Sequence, residues 1–234
     1  VADLTTEIGD HLSSGAMSLK RTRSLAGGAG FIAGIIPWWK PFVAMIWASV
    51  ATALREAASC GANERRPKVS FQMVPTRRYR HALQWLDAFL TGWGAEARCF
   101  KLSPSAPSKW QVIMDASPWG MGAILLEGSN PIEYFALDLS TDDLRRFSAK
   151  RGESGFTTLW EALTLSICIR QWLVNKSLLS VRIKSDSLGA LRLAMKLSSS
   201  SPHLNRVAQE IALHLAIGDA QVSLLEHIPG VTNI

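Results

Sequence analysis

The chain of 234 residues changes its hydrophobic period near the middle. Up to about residue 102 apolar residues recur at helical spacing, whereas beyond 109 they alternate or run in short blocks, as strands do. Residues 3–13 form a first helical stretch. A second, 18–35, follows "SGAMS", with Ser18 placed to cap it and Leu19, Leu25, Phe31, Ile32 and Ile35 as apolar anchors. Gly27, Gly28, Gly30 and Gly34 each weaken that helix by roughly 1 kcal/mol relative to alanine, which predicts another helix packed closely along them. "PWWKP" then breaks the pattern, Phe42 to Ala58 reads as a strongly apolar helix, and "CGANERRPK" reads as a basic loop. Thr76 to Gly92 is a further amphipathic helix, with Leu83, Leu86 and Leu90 on one side. "SPSAPSK", residues 103–109, carries two prolines and three serines with no apolar period and predicts a short linker, setting a domain boundary near 109.

Past that boundary, "KWQVIMDAS", "GMGAILLEG" and "NPIEYFALDL" predict a three-stranded meander. "FTTLWEALTLSICIRQWLV" predicts one long helix and "SVRIKSDS" a strand. "LGALRLAMKL" and "SPHLNRVAQEIALHLAIG" predict two helices, and "AQVSLLEHI" a final strand. The succession βββαβααβ fits a mixed sheet in which later strands are added to the meander through helical crossovers.

Composition narrows the class. With 47% hydrophobic and 19% charged residues the chain is that of a folded globular protein. Cys60, Cys99 and Cys168 are widely spaced, without a CxxC pair or a histidine at zinc-ligand spacing, as expected of reduced thiols in an intracellular protein. No secretory signal pattern opens the sequence. The apolar run from Gly27 to Leu54 is broken by Pro37, Lys40 and Pro41 before either half reaches the ~20 residues a span requires, so no membrane association is expected. The net charge of +6 is unevenly spread: residues 1–110 hold 14 Lys and Arg against 7 acids, and residues 111–234 hold 11 against 12. Such asymmetry points to a polyanion partner for the first half. Arg77, Arg78 and Arg80 crowd a helix start, where positive charge opposes the macrodipole, and are the candidate nucleic-acid contacts of that half.

Three acids stand out by position. Asp115 ends the first strand of the meander, Glu161 lies in the long helix, and Asp186 ends the fourth strand. If strands one and four are parallel neighbours, their ends lie about 5 Å apart and bring both aspartates to one sheet edge, which Glu161 can join. Clustered carboxylates repel one another unless a cation compensates, and oxygen ligands without His or Cys suit Mg²⁺ or Mn²⁺ rather than zinc. Two such ions would activate a water and stabilise the leaving oxygen of a phosphodiester. Asp138, Asp142, Asp143 and Glu153 read as turn and surface residues.

The stretches "VIMDASPWGMGAILL", "FTTLWEALTLSICIRQWL", "VRIKSDSLGALRLAMK" and "LLEHIPGVTNI" resemble the ribonuclease H domain of retrotransposon reverse transcriptases, gypsy-like or tyrosine-recombinase-retrotransposon-like. The upstream "MSLKRTRSLAGGAGFIAGIIPWWKPFVAMIWASV" and "RRYRHALQWLDAF" resemble the thumb and connection region of such polymerases. The resemblance implies an α/β, ribonuclease H-like mixed five-stranded sheet with flanking helices over 110–234, preceded by a mainly α-helical thumb and connection segment over 1–109. It implies metal-dependent cutting of the RNA strand of RNA–DNA hybrids, with Asp115, Glu161 and Asp186 as ligands of Mg²⁺ or Mn²⁺. The backbone around Ser117 and Gly120 would approach the RNA, and the upstream polymerase domain of the same polyprotein would be a partner. The family's fourth acidic ligand falls beyond Ile234, so the domain is expected to be C-terminally incomplete, and the polymerase's paired-aspartate motif is missing, its nearest string being "STDD" at 140–143. His227 is expected to support the site rather than to ligate. Two other readings stay open: a truncated or decayed copy that binds nucleic acid or serves as scaffold without catalysis, and an unrelated transposase or integrase nuclease of similar fold.

Overall fold

The structure, a computed structural model, describes residues 2–60, 72–92, 108–176, 180–218 and 221–230. Its chain divides into two compact units, Val1–Phe100 and Lys101–Ile234. The expected linker at 103–109 and the basic loop after Cys60 lie almost wholly outside the described residues.

In the first unit α1 (Ala2–Ser13) leads through a three-residue strand, β1 (Ala16–Ser18), into α2 (Leu19–Ile35). Ser18 caps α2 as expected, its Oγ accepting from the Arg21 N–H at 3.3 Å. The "PWW" break is a 3₁₀ turn at Pro37–Trp39, and α3 (Lys40–Cys60) starts at once, because Pro41 fits a first helical turn where no amide donor is needed. β2 (Met73–Pro75) pairs antiparallel with β1, and a 3₁₀ turn at Thr76–Arg78 precedes α4 (Arg80–Thr91). Leu19, Leu25, Phe42, Ile46, Leu83 and Leu86 fill the core, and the Phe42 and Phe89 rings meet edge to face at 5.9 Å. Two expectations for α2 are corrected. Phe31 and Ile35 are 77% and 61% exposed, because the helix buries Thr22, Ala26, Ala29 and Ala33 instead. Gly27, Gly28 and Gly34 face open space, and only Gly30 meets α3, with its Cβ position 3.8 Å from Val43.

The second unit opens on the expected meander: β3 (Trp110–Ala116), β4 (Gly120–Glu127) and β5 (Asn130–Asp138). A helix that the sequence reading passed over, α5 (Thr141–Phe147), follows. It begins in a capping box between Ser140 and Asp143. The long helix is divided: α6 (Thr157–Cys168) runs on as a π-helical stretch, Ile169–Val174, whose Ile169, Trp172 and Leu173 are all buried. Then come β6 (Ser180–Ser185), α7 (Leu188–Lys196), α8 (Pro202–Gly218) and β7 (Gln221–His227).

The five strands form one mixed sheet in the order β5-β4-β3-β6-β7, antiparallel within the meander and parallel from β3 through β6 to β7. This is the mixed five-stranded sheet with flanking helices expected of the unit. One face buries Val112 and Met114 of β3 and Ala123 and Leu125 of β4 against Trp160 and Leu165 of α6 and Ile211 of α8. Met114 pairs in register with Ala123 and Asp115 with Gly122, so strand alternation turns Asp115 away from that apolar layer. Among the described residues no helix is long and apolar enough to cross a membrane.

Candidate functional site

Parallel pairing of β3 with β6 settles where the acids lie. Gln111 pairs with Arg182 and Ile113 with Lys184, so the two strands run in step to their C-terminal ends. Asp115 is the last residue but one of β3, and Asp186 follows the last residue of β6. Glu161 sits in the second turn of α6, a helix otherwise apolar, and is only 3% exposed. One carboxylate oxygen from each of the three residues lies within 4.8 Å of the others. A helix that packs on the sheet through Trp160 and Leu165 necessarily carries Glu161 to the strand ends.

Each acid is held by short local contacts. The Ala116 N–H donates to Asp115 Oδ1 at 2.8 Å and lies 3.3 Å from Glu161 Oε1. Ser185, fully buried, donates its hydroxyl to Glu161 Oε2 at 3.3 Å and accepts from the Ser187 N–H at 3.1 Å. Ser187 in turn caps α7 through the Ala190 N–H. The ring N–H of His227 donates from Nε2 to the Asp186 carbonyl at 3.0 Å, and the Ile228 N–H donates to the Ser185 carbonyl at 3.1 Å. His227 therefore steadies the backbone beside Asp186. Gly230 leaves room for that acid: a Cβ there would stand 3.1 Å from Asp186 Oδ2.

The charge in this cluster is uncompensated from within. Burial, and then the like charges of Asp115 and Asp186, push the Glu161 carboxyl up to about 8. Burial is also the main reason that Asp115 is raised, with the Asp186 charge adding to it. Three converging oxygen ligands, without His or Cys, one of them a carboxyl that burial and its like-charged neighbours push up, fit a hard divalent cation such as Mg²⁺ or Mn²⁺.

Ser117 and Gly120, the residues expected near an RNA strand, build the turn that follows Asp115. Ser117 Oγ accepts from the Trp119 and Gly120 amides at 3.3 and 3.2 Å, and the Ser117 N–H donates to the Gly120 carbonyl at 2.8 Å. At Gly120 a Cβ would lie 2.8 Å from the Leu137 carbonyl oxygen, so only glycine lets β4 approach β5 there. Arg77, Arg78 and Arg80 belong to the other unit. Arg78 is committed to a two-bonded pair with Glu56 at 2.7 and 2.9 Å, and Arg80 donates to the Leu12 carbonyl at 3.0 Å, while Arg77 is exposed. The arginines at this helix start thus find part of their compensation inside the unit. Ser185 and the Ala116 amide were not singled out from the sequence. A hydroxyl at the closing position of an otherwise apolar-alternating strand, in "IKSDS", was the signal for the first; a backbone donor leaves none.

No protein-family model matches the sequence, and no curated protein matches it. Among solved structures, the N-terminal RNase H domain of a Mycobacterium tuberculosis protein, determined as a fusion with maltose-binding protein, is similar at a TM-score of 0.36 and 12% identity, over 54% of this chain and 86% of that one. The foamy viral protease-reverse transcriptase in complex with dsDNA is similar at a TM-score of 0.35 and 13% identity, over 88% of this chain. This chain spans 39% of the foamy viral one.

Proposed function

We propose that this chain cleaves the RNA strand of RNA–DNA hybrids in a divalent-metal-dependent reaction, as part of a retroelement reverse transcriptase. The observation that carries the reading is the convergence of Asp115, Glu161 and Asp186, from two parallel strand ends and one helix, to within 4.8 Å. Mg²⁺ or Mn²⁺ held by these carboxylates would activate a water and stabilise charge on the phosphate and its leaving oxygen. Asp115 and Asp186 offer partly exposed carboxylates to that ion, and Glu161 offers a buried one, its Oε1 fixed by the Ala116 amide and its Oε2 by the Ser185 hydroxyl. Discrimination for RNA would rest on its 2′-hydroxyl and on the groove shape of a hybrid. Residues 1–109 would act as the thumb and connection segment, their basic excess facing nucleic acid, and a polymerase domain would precede them.

The test is incubation of the chain with an end-labelled hybrid, beside single-stranded RNA and duplex DNA, in Mg²⁺ or Mn²⁺. Cutting confined to the hybrid, abolished by EDTA and by Asp115→Asn with hybrid affinity nearly unchanged, is the expected result. Cutting that survives Asp115→Asn refutes the assignment. Hybrid binding with no cutting in either metal supports instead a non-catalytic nucleic-acid-binding fragment.

A further inference from the structure

Four residues past Asp115 the turn ends on an indole. Trp119 is 58% exposed, and it lines the same cavity, of about 780 Å³, as Asp115. Its place is fixed by backbone bonds on both sides: the Trp119 amide donates to Ser117 Oγ, the Trp119 carbonyl accepts from the Leu139 amide at 2.9 Å, and the Pro118 carbonyl accepts from the Gly152 amide at 3.0 Å. Gly152, at φ +84°, lies against the indole; a Cβ there would be 3.7 Å from Trp119 Nε1. One part of the ring is thus backed by chain and the rest faces outward. Arg151, next to Gly152, donates its guanidinium to the Leu139 carbonyl, and Lys150 is exposed beside it, its backbone N–H donating to the Glu153 carboxylate at 3.3 Å. α5 ends on Arg145, paired with Asp142 at 2.7 Å, and on Arg146, exposed on the side leading to this loop.

An outward-facing indole in one cavity with Asp115, its turn bonded through the backbone to the loop that carries Lys150 and Arg151, has the parts of a nucleotide-stacking platform. Bases inside a duplex present only their edges, so an indole face stacks either on a base that has left the helix or on the end pair, and a blunt and an extended probe tell the two apart. We propose that Trp119 stacks an unpaired nucleotide, with Lys150 and Arg151 beside its phosphates, so that the chain favours hybrids whose RNA continues as a single strand past the last base pair. This rests on the reading of Asp115, Glu161 and Asp186 as a nuclease centre.

The experiment measures binding, by fluorescence anisotropy in EDTA, of a blunt hybrid and of the same hybrid with an unpaired RNA extension, for the wild-type chain, Trp119→Ala, Trp119→Phe and Lys150→Gln. The wild type is expected to bind the extended probe about tenfold more tightly than the blunt one. Trp119→Ala removes that preference, Trp119→Phe keeps most of it, and Lys150→Gln lowers the salt slope for the extended probe by about one. A preference that survives Trp119→Ala, or a wild type that binds both probes alike, overturns the proposal even if the hybrid is cut. Preference for the extension by a chain that cuts neither probe in Mg²⁺ or in Mn²⁺ upholds the platform and refutes the nuclease reading alone.

Discussion

Glu161→Gln keeps the shape of the buried acid and removes its charge. Burial and the neighbouring Asp115 and Asp186 hold the wild-type carboxyl up to about 8, against an ordinary value of 4.5. Between those two values the native chain keeps a proton that the unfolded chain has lost. Because the native state binds more protons there, this group's contribution to stability is complete below 4.5 and is lost as pH rises towards 8. At ~1.4 kcal/mol per pH unit the ceiling is about 5 kcal/mol. Water entering the open side of the cluster and relaxation of the two aspartates reduce the expected effect to about 2 kcal/mol. In EDTA, urea denaturation should find the variant equal to wild type near about pH 4 and about 2 kcal/mol more stable near about pH 9. In Mn²⁺ at the higher pH the order should reverse, since the wild type gains binding free energy that the variant cannot. Equal stabilities in EDTA across the whole range would refute the claim that the three carboxylates repel one another in an uncompensated site.

Three further outcomes follow from the same contacts. Gly120→Ala drives a methyl against the Leu137 carbonyl oxygen, a backbone atom of the strand ladder, and should cost about 1–3 kcal/mol by thermal unfolding. Gly189→Ala meets only the Thr158 methyl, at 2.5 Å, which can rotate, and should cost less than Gly120→Ala; the opposite ranking contradicts the packing described. Ser185→Ala frees Glu161 Oε2 and leaves the Ser187 amide unpaired, for about 1–2 kcal/mol, and should weaken Mn²⁺ binding, which Ser185→Thr restores. In the first unit burial, assisted by the Arg21 charge, holds the His11 imidazole down to about 4, where its Nδ1 meets the Tyr79 hydroxyl at 3.0 Å. The unfolded chain takes up that proton near 6.5, so this unit should lose stability as pH falls from 6.5 towards 4, and His11→Gln should lose less, by hydrogen exchange of its core amides.

The parts of the fold that were legible in the sequence are those with long periods or sharp punctuation. The meander, the later strands and the helices between them follow from runs of six or more residues, and Ser18 announced the start of α2. Glu161 was readable as the lone acid of an apolar helix, and Asp115 and Asp186 as acids closing apolar strands; their convergence needed the parallel pairing of β3 with β6, which topology suggested and register decides. β1 and β2, at three residues each, are too short for a period. α5 has only Leu144 and Phe147 as apolar anchors, and its Ser140-x-x-Asp143 cap lies among acids that read as turn and surface residues. Phe31 and Ile35 misled because periodicity marks a stripe without telling it from the alanine face that α2 buries. The π-helical end of α6 answers to the packing of Trp172 and Leu173, which no local pattern encodes.

Asp115, Glu161 and Asp186 must together hold a divalent ion if the chain cleaves RNA as proposed. Titration of Mn²⁺ into the full chain, followed by calorimetry and by the electron paramagnetic resonance of the free ion, measures this directly for the wild type and for Asp115→Asn, Glu161→Gln and Asp186→Asn. Saturable binding in the wild type that each substitution weakens about tenfold or more is the predicted result. Wild-type binding that all three substitutions leave unchanged, or no saturable binding at all, would contradict it.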